Sequence, residues 1–221
     1  MTLVADNIGR RAAGRWLLAN VSLTIAAGER LALVGPSGSG KTLLLRSLAL
    51  LDPADEGEIR WQGERVHGHR VPAFRSRVIY LHQRPALAEG TVEANLRQPF
   101  EFGVHRARQF DRGRIVAALE ALGRGEAFLA KHQRDLSGGE AQLTALLRAM
   151  QLDPDMLLLD EPTAALDADA TKLVETLVAN WQQERTADRA TVWVSHDAEQ
   201  ARRVGSRIVH LKSGRLEEAD G

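Results

Sequence analysis

A glycine-rich stretch at residues 35–42, GPSGSGKT, contains the residue types that bind phosphate. It fits the pattern G-x-x-x-x-G-K-[ST], which requires a strand before it and a helix after it. Glycine admits backbone conformations in which successive N–H groups point inward as an anion nest. The lysine adds a positive charge for the outer phosphates, and the threonine hydroxyl can ligate Mg²⁺. We therefore predict a nucleotide-phosphate site formed by Gly35, Pro36, Ser37, Gly38, Ser39, Gly40, Lys41 and Thr42.

A second stretch with chemical potential, LLLDEP at residues 157–162, ends an apolar run in two carboxylates. Strands that end in acidic residues are common, so this feature alone indicates little. Beside a phosphate-binding loop it predicts two roles. Asp160 is expected to hold Mg²⁺ through water, and Glu161 is expected to orient or deprotonate an attacking water molecule.

Residues 136–150, LSGGEAQLTALLRAM, place two glycines at the start of a helical pattern. Ser137 and Glu140 have the S-x-x-E spacing of a capping box, which satisfies free amides of the first helical turn. The box does not explain Gly138 and Gly139, because glycine costs about 1 kcal/mol against alanine in a helix. Small residues at a helix N-terminus let an anion approach bare backbone N–H groups. The pair therefore predicts a second anion contact.

The elements that must position these residues alternate between strand-like and helix-like patterns. Short apolar runs typical of buried strands precede the phosphate loop and recur at 78–81, 156–160, 191–195 and 207–211. A short hairpin is expected at 57–66, and helices are expected at 43–51, 114–123, 142–150 and 167–185. Strands interleaved with helices predict a mostly parallel sheet. We expect one domain over 1–221, with an α/β core at 1–83 and 150–221 and a helical insertion at 84–149.

The composition excludes several classes of protein. The 221 residues carry 29 basic and 29 acidic side chains, so no overall field favours nucleic acid or anionic lipid. There is no cysteine, which excludes disulfides and thiolate chemistry. The N-terminus lacks the apolar segment of a signal peptide, and no run approaches the roughly 18 to 20 apolar residues of a membrane span. We expect a soluble cytoplasmic protein with no nucleic-acid partner.

Taken together, the motifs resemble those of the ATP-binding subunits of ABC (ATP-binding cassette) transporters. The resemblance covers essentially the whole chain, with the motifs in the expected order. It implies an α/β fold of the P-loop NTPase (RecA-like) class, with a mostly parallel sheet, an antiparallel N-terminal β subdomain and an inserted α-helical subdomain. The matching segments are the Walker A motif GPSGSGKT, the Q-loop at Gln83, the signature LSGGE, the Walker B motif MLLLDEP, the D-loop AALD at 164–167 and the switch His196.

The resemblance also implies roles for these residues and for the cofactors ATP and Mg²⁺. Gln83 is expected to contact Mg²⁺ and the attacking water, and His196 to contact the γ-phosphate and hold Glu161. Two cassettes are expected to bind two ATP molecules head to tail and to separate after hydrolysis. Across that interface Asp167 would reach the partner's site, and the γ-phosphate would be contacted by Ser137, Gly138 and Gly139.

The sequence departs from the family pattern at two places. The family has an aromatic residue that stacks on adenine, and the alignment places Arg10 at that position. Its guanidinium could stack on the base instead, or Trp16 could move in. After the signature, Leu143 replaces the usual arginine while Gln142 is kept. An interaction near the signature helix is therefore expected to be lost or altered, whereas the phosphate chemistry is not affected.

The chain has no second cassette and no long heptad arm, which favours a minimal cassette that binds a separate membrane permease on the inner face of the membrane. An exposed apolar groove for that partner is expected at Leu87, Leu96, Phe100 and Phe102. The segment following Gln83 and the VWVSHD run most resemble stand-alone cassettes of iron or metal export systems. The alternatives are a phosphate- or amino-acid-importer ATPase, a soluble ABC ATPase outside transport and a nucleotide-binding scaffold with little hydrolysis.

Overall fold

A six-stranded sheet forms the centre of the molecule, for which a computed structural model describes residues 1–218. Its spatial order is β10-β9-β3-β8-β7-β6, and every neighbouring pair is parallel except β9 with β10. Strands β7 and β8 are buried at every position and β3 at its three central positions, as expected for strands covered on both faces. The bounds are β3 (Arg30–Val34), β6 (Val78–Leu81), β7 (Met156–Asp160), β8 (Ala190–Val194), β9 (Arg207–Lys212) and β10 (Arg215–Glu218).

A second, antiparallel sheet contains the N-terminal strands in the order β2-β1-β4-β5. One face of this sheet is apolar, and Ile8, Leu18 and Ile25 are fully buried there in one cluster with Leu31 of β3. This shared core fixes the second sheet against the first. The bounds are β1 (Thr2–Ala12), β2 (Arg15–Ala26), β4 (Glu56–Trp61) and β5 (Glu64–Arg65).

Seven α-helices lie within residues 1–218, and three of them (α3 to α5) belong to the stretch between β6 and β7. The buried side chains of these three helices form a second apolar cluster, which also includes Leu157, Leu159 and Trp193 of β7 and β8. The signature helix α5 is therefore packed directly on the sheet that ends in the Walker B carboxylates. The bounds are α1 (Lys41–Leu48), α2 (Val71–Arg75), α3 (Val92–Arg97), α4 (Arg112–Ala121), α5 (Gly138–Met150), α6 (Ala168–Gln183) and α7 (Ala198–Val204).

The predicted pattern of a mostly parallel sheet, an antiparallel N-terminal sheet and a helical segment is observed. One strand was not predicted, because β1 bends at Asn7 (φ 50°) and its pairing with β2 shifts register between Ala5 and Ile8. The division at residues 84 and 149 stays a prediction, and 219–221 of its last segment lie outside the described residues. No helix within 1–218 combines the length and the apolar character needed to span a bilayer.

Candidate active site

The phosphate loop connects β3 to the first turn of α1. Gly38 (φ 77°) and Gly40 (φ 106°) adopt left-handed backbone conformations that favour glycine. Gly35 has no room for a side chain, since a Cβ would lie 2.1 Å from the carbonyl oxygen of Leu211. Helix α1 begins after Gly40 with no side-chain cap and no acidic residue in its first turn. Its N-terminal amides and the positive end of its dipole are thus free for an anion.

Lys41 is almost completely buried at the start of α1, with a relative exposure of 6%. Its Nζ donates hydrogen bonds to the carbonyl oxygens of Gly35 (2.8 Å) and Pro36 (3.0 Å). Burial lowers the pKa of Lys41, and the negative charges of Glu161 and Asp160 partly offset this effect. The loop therefore holds an ammonium group that has lost most of its water and that an anionic ligand would stabilise.

The two carboxylates at the end of β7 have different surroundings. Asp160 is 1% exposed, and its Oδ2 accepts a hydrogen bond from the Tyr80 hydroxyl at 2.9 Å. Burial, and secondarily the charge of Asp160, raises the pKa of Tyr80, so this hydroxyl remains a donor. Glu161 is partly exposed and follows Asp160 with φ at 48°, a left-handed conformation rare for residues other than glycine.

The Glu161 carboxylate lies between two side chains that come from distant positions along the chain. Its Oε2 accepts a hydrogen bond from Gln83 Nε2 at 2.8 Å, and its Oε1 contacts His196 Nε2. Two donors thus fix both oxygens of one carboxylate. A carboxylate fixed in this way, with its remaining lone pairs toward a cleft, has the geometry of a general base.

A cleft of about 670 Å³ brings together eight of the seventeen predicted site residues. Asp160 does not line it, and Asp167 lies at the N-terminus of α6, where its side chain accepts a hydrogen bond from Ala170 N at 2.8 Å. Sequence reasoning missed the contribution of the turn between β9 and β10. The lining residues are Trp16, Leu17, Ser37, Gly38, Gly40, Lys41, Thr42, Leu43, Arg46, Asp52, Gln83, Glu161, His196, Ser213 and Gly214.

Arg10, which the alignment placed at the adenine position, does not line the cleft. Its Nη1 lies 3.1 Å from the carboxylate of Asp55 in an ion pair. The same carboxylate accepts a hydrogen bond from Arg11 N at 2.7 Å. Trp16 does line the cleft and is 38% exposed. The Arg11 guanidinium lies over its ring, 3.8 Å from the centroid, in a cation–π contact. The aromatic side chain at the cleft is therefore Trp16, supported from its own sheet.

The predicted capping box is present at the start of α5. Glu140 N donates to Ser137 Oγ (3.2 Å), and Ser137 N donates to Glu140 Oε2 (3.0 Å). Ser137 and Gly138 are exposed, whereas Gly139 is buried. A Cβ on Gly139 would lie 2.7 Å from Leu166 Cδ2 and 2.8 Å from the carbonyl oxygen of Ala165. The second glycine thus has a reason within its own chain, because the D-loop packs against it.

This difference between the two glycines predicts a difference in stability. We expect Gly139→Ala to lower the melting temperature by about 3–10 °C, because overpacking against backbone costs about 1–3 kcal/mol. Gly138→Ala meets only Ala165 Cβ at 3.5 Å, an ordinary contact, and we expect a shift within about 2 °C. Thermal unfolding of both nucleotide-free variants is the measurement. Equal losses of stability would contradict this assignment.

Two further expectations are resolved by burial. Leu143, which replaces an arginine of the family pattern, is 1% exposed within the helical cluster, so it contributes to the core of α5. The predicted apolar groove is wrong for Leu96, which is fully buried because it faces the same cluster from α3. Phe100 is half-buried with its ring 6.3 Å from that of Phe110, and Phe102 is 58% exposed.

Comparisons with known proteins agree with this geometry. The family model described as ABC transporter matches residues 18–164. Phosphate import ATP-binding protein PstB 2 of Natronomonas pharaonis is 37% identical over 219 residues, covering 93% of this chain and 75% of the relative. "Probable iron export ATP-binding protein FetA" of Escherichia coli (strain K12) is 33% identical, covering 98% and 95%.

Among solved structures, the chain is similar to a dimeric, post-hydrolysis ATP-binding cassette bound to ADP and Pi. The TM-score is 0.84 with 27% sequence identity, and the match covers 99% of both chains. This likeness confirms the predicted P-loop NTPase fold. The family match covers the Walker A loop and the carboxylates of Asp160 and Glu161. The chain therefore belongs to the ABC transporter family, as one of its ATP-hydrolysing cassettes.

Proposed function

We propose that this cassette hydrolyses Mg²⁺–ATP as a peripheral subunit on the inner face of the membrane, where it drives a separate permease. The observation that supports this most directly is the Glu161 carboxylate, held between Gln83 and His196. It lies at a cleft that is also lined by Lys41 and Thr42. A fixed base beside a phosphate-binding loop is the arrangement that attack of water on a γ-phosphate requires.

In the proposed reaction Glu161 takes a proton from water, the water oxygen bonds to the γ-phosphorus, and the bond from that phosphorus to the ADP oxygen breaks. Lys41 and the amides of the phosphate loop stabilise the charge on the phosphates. His196 and Gln83 keep the carboxylate oriented.

Thr42 and Gln83 offer oxygen donors suited to Mg²⁺ at the cleft, and Asp160 offers a carboxylate at the buried end of β7, outside the cleft lining. Within residues 1–218 no group of three or more acidic or histidine side chains is placed to hold a metal. Proteins bind Mg²⁺ through one or two side chains together with substrate phosphates. When bound, the ion would neutralise charge on the β- and γ-phosphates.

A second cassette would complete the site from the opposite side. Ser137 and Gly138 are exposed at the N-terminus of α5, where the helix dipole favours an anion. We infer that they contact the γ-phosphate held by a second, head-to-tail cassette, with Gly139 setting the close packing beneath them. Asp167 is exposed at the start of α6 and would face the partner's site.

We infer that adenine stacks on Trp16, whose ring borders the cleft and is backed by Arg11. Stacking of a base on an aromatic side chain contributes about 1–3 kcal/mol. Trp16→Ala is therefore expected to weaken ATP binding by about 5–100-fold, as measured by titration calorimetry. Arg10→Ala is the matched control and should leave the affinity within about threefold. A larger loss for Arg10→Ala than for Trp16→Ala would reverse the assignment.

The permease is proposed to dock where apolar side chains follow the Q-loop. Phe102 is strongly exposed, and Leu87 and Phe100 are half-buried beside the same helical segment. An exposed aromatic side chain next to partly buried ones suits the apolar face of a partner helix. Because the stretch begins at Gln83, motion of the partner would reach the Glu161 carboxylate through a short length of chain.

For the cargo we propose a metal ion that is exported. The iron export relative matches this chain over nearly its whole length, 95% against 75% for the phosphate import relative. Phosphate import is the second candidate, because that relative has the higher identity of the two, 37% against 33%.

The test is a pull-down of tagged Glu161→Gln protein, with ATP and Mg²⁺, from gently solubilised native membranes. Recovery of a protein with several membrane spans is expected, and its own sequence would distinguish export from import. Phe102→Asp in the same background is the control that should lose this partner. Recovery of only soluble or ribosomal partners would overturn the transport proposal and leave the ATPase chemistry standing.

A further inference from the structure

Gln142 is a buried glutamine in the second turn of α5, with 3% exposure and a fully hydrogen-bonded amide. Its Nε2 donates to the carbonyl oxygens of Gln83 (3.0 Å) and Glu161 (3.3 Å). Its Oε1 accepts a hydrogen bond from Ala165 N at 3.1 Å. One side chain of the signature helix thus bonds the backbones of the Q-loop, the Walker B turn and the D-loop.

Two of these bonds reach the residues whose side chains meet in the active site. The Glu161 backbone is left-handed, a conformation that persists only where the surroundings determine it. Its carbonyl oxygen accepts hydrogen bonds from Gln142 and from Ala164 N at 3.2 Å. Because Gln142 holds the Gln83 carbonyl with the same nitrogen, it sets the separation of the two backbones.

A second contact connects the same helix to the same loop. Gly139, one turn before Gln142, packs against Ala165 and Leu166 with no space for a side chain. Helix α5 therefore touches the segment after Glu161 at two adjacent points. Any displacement of α5 must carry that segment with it or break the hydrogen bonds of Gln142.

We propose that Gln142 is a positioning residue that sets the geometry of the Glu161 carboxylate by holding the backbones of Glu161 and Gln83. Through it, the position of the signature helix controls whether the carboxylate is correctly placed for hydrolysis. This inference rests on the role of Glu161 as the base. Gln142 itself is buried behind the turn and is not among the residues that line the cleft.

The test compares Gln142→Met with Gln151→Met, a glutamine of matched chemistry that follows α5 directly. Gln151 Nε2 donates to the Leu96 carbonyl at 2.6 Å and has no contact with the cleft. We expect Gln142→Met to lower kcat at least tenfold while KM for ATP changes less than threefold. Gln151→Met should leave both constants within about twofold of the original values.

A second variant, Gln142→Glu, keeps the shape and an acceptor for Ala165 N but loses both donations when ionised. We expect its kcat, relative to the original protein, to fall as pH rises from about 6 to 9, because burial raises a carboxyl pKa. A ratio that stays constant with pH, or an equal loss for Gln151→Met, would overturn the proposal. If Gln142→Met does not fold, the pH dependence of kcat in Gln142→Glu alone tests the proposal. Loss of turnover in Glu161→Gln with full turnover in both Gln142 variants would overturn this inference alone.

Discussion

Glu161→Gln is expected to lower ATP turnover by about 10²–10⁴-fold, the range that general bases contribute. The Glu161 carboxylate is held at the cleft by two side chains, Gln83 and His196. Glutamine has the same shape, but an N–H₂ group replaces one of the two carboxylate oxygens. That group cannot accept a hydrogen bond from the donor that faces it. The variant therefore loses both the base and one of the two hydrogen bonds that orient it.

The same substitution should leave ATP binding intact, because Glu161 is not part of the phosphate loop. ATP-bound dimers are then expected to accumulate and to elute earlier on a sizing column with ATP and Mg²⁺. Glu120→Gln, at an exposed position of α4, is the matched control and should hydrolyse ATP at the original rate. Unchanged turnover in Glu161→Gln would exclude Glu161 as the base.

The parts of the site that the sequence predicted are those made by contiguous residues. GPSGSGKT keeps its glycines next to Lys41 and Thr42, in a loop and the first helical turn after it, whatever the rest of the fold does. The buried strands were also predictable from the sequence, because short, nearly continuous apolar runs such as MLLLD are typical of strands that are covered on both faces of a parallel sheet. Even the capping box of α5 needs only four residues in order.

The structure was needed where contacts join distant parts of the chain. Gln142 bonds the Gln83 carbonyl across 59 positions, and no local pattern marks that contact. Gly139 is required by the D-loop, which lies about 26 residues further along the chain. In the sequence Gln142 is an ordinary helix residue, and Gly139 is unusual in a helix but gives no sign of the segment that packs against it.

The side chains beside the proposed adenine contact show a different limit of sequence-based prediction. Irregular pairing between β1 and β2 decides which side chain reaches the cleft, and Arg11 rather than Arg10 stands opposite Trp16. The bend at Asn7 also breaks the alternation that would have marked β1 as a strand. Register in a strand of this kind is set by packing, which motif spacing alone does not reveal.

Lys41→Met is expected to lower turnover by roughly 10²–10³-fold, as for loss of one charge-stabilising group in a preorganised site. ATP binding should weaken by about 10–100-fold, because a charge-assisted hydrogen bond contributes about 1.5–3 kcal/mol. Lys172→Met, at an exposed position of α6, is the control that should behave as the original protein.

Thermal unfolding separates this loss of binding from a loss of folding. Burial lowers the pKa of Lys41, which means that folding opposes its charged form at neutral pH. Methionine carries no such cost but cannot donate to the Gly35 and Pro36 carbonyls. These two effects oppose each other, so the nucleotide-free variant is expected to fold and to unfold in one cooperative transition. ATP at about 100 times its Kd should raise the original protein's melting temperature by about 5–10 °C. The same ATP concentration should raise that of Lys41→Met far less, and an equal rise would contradict a phosphate contact for Lys41.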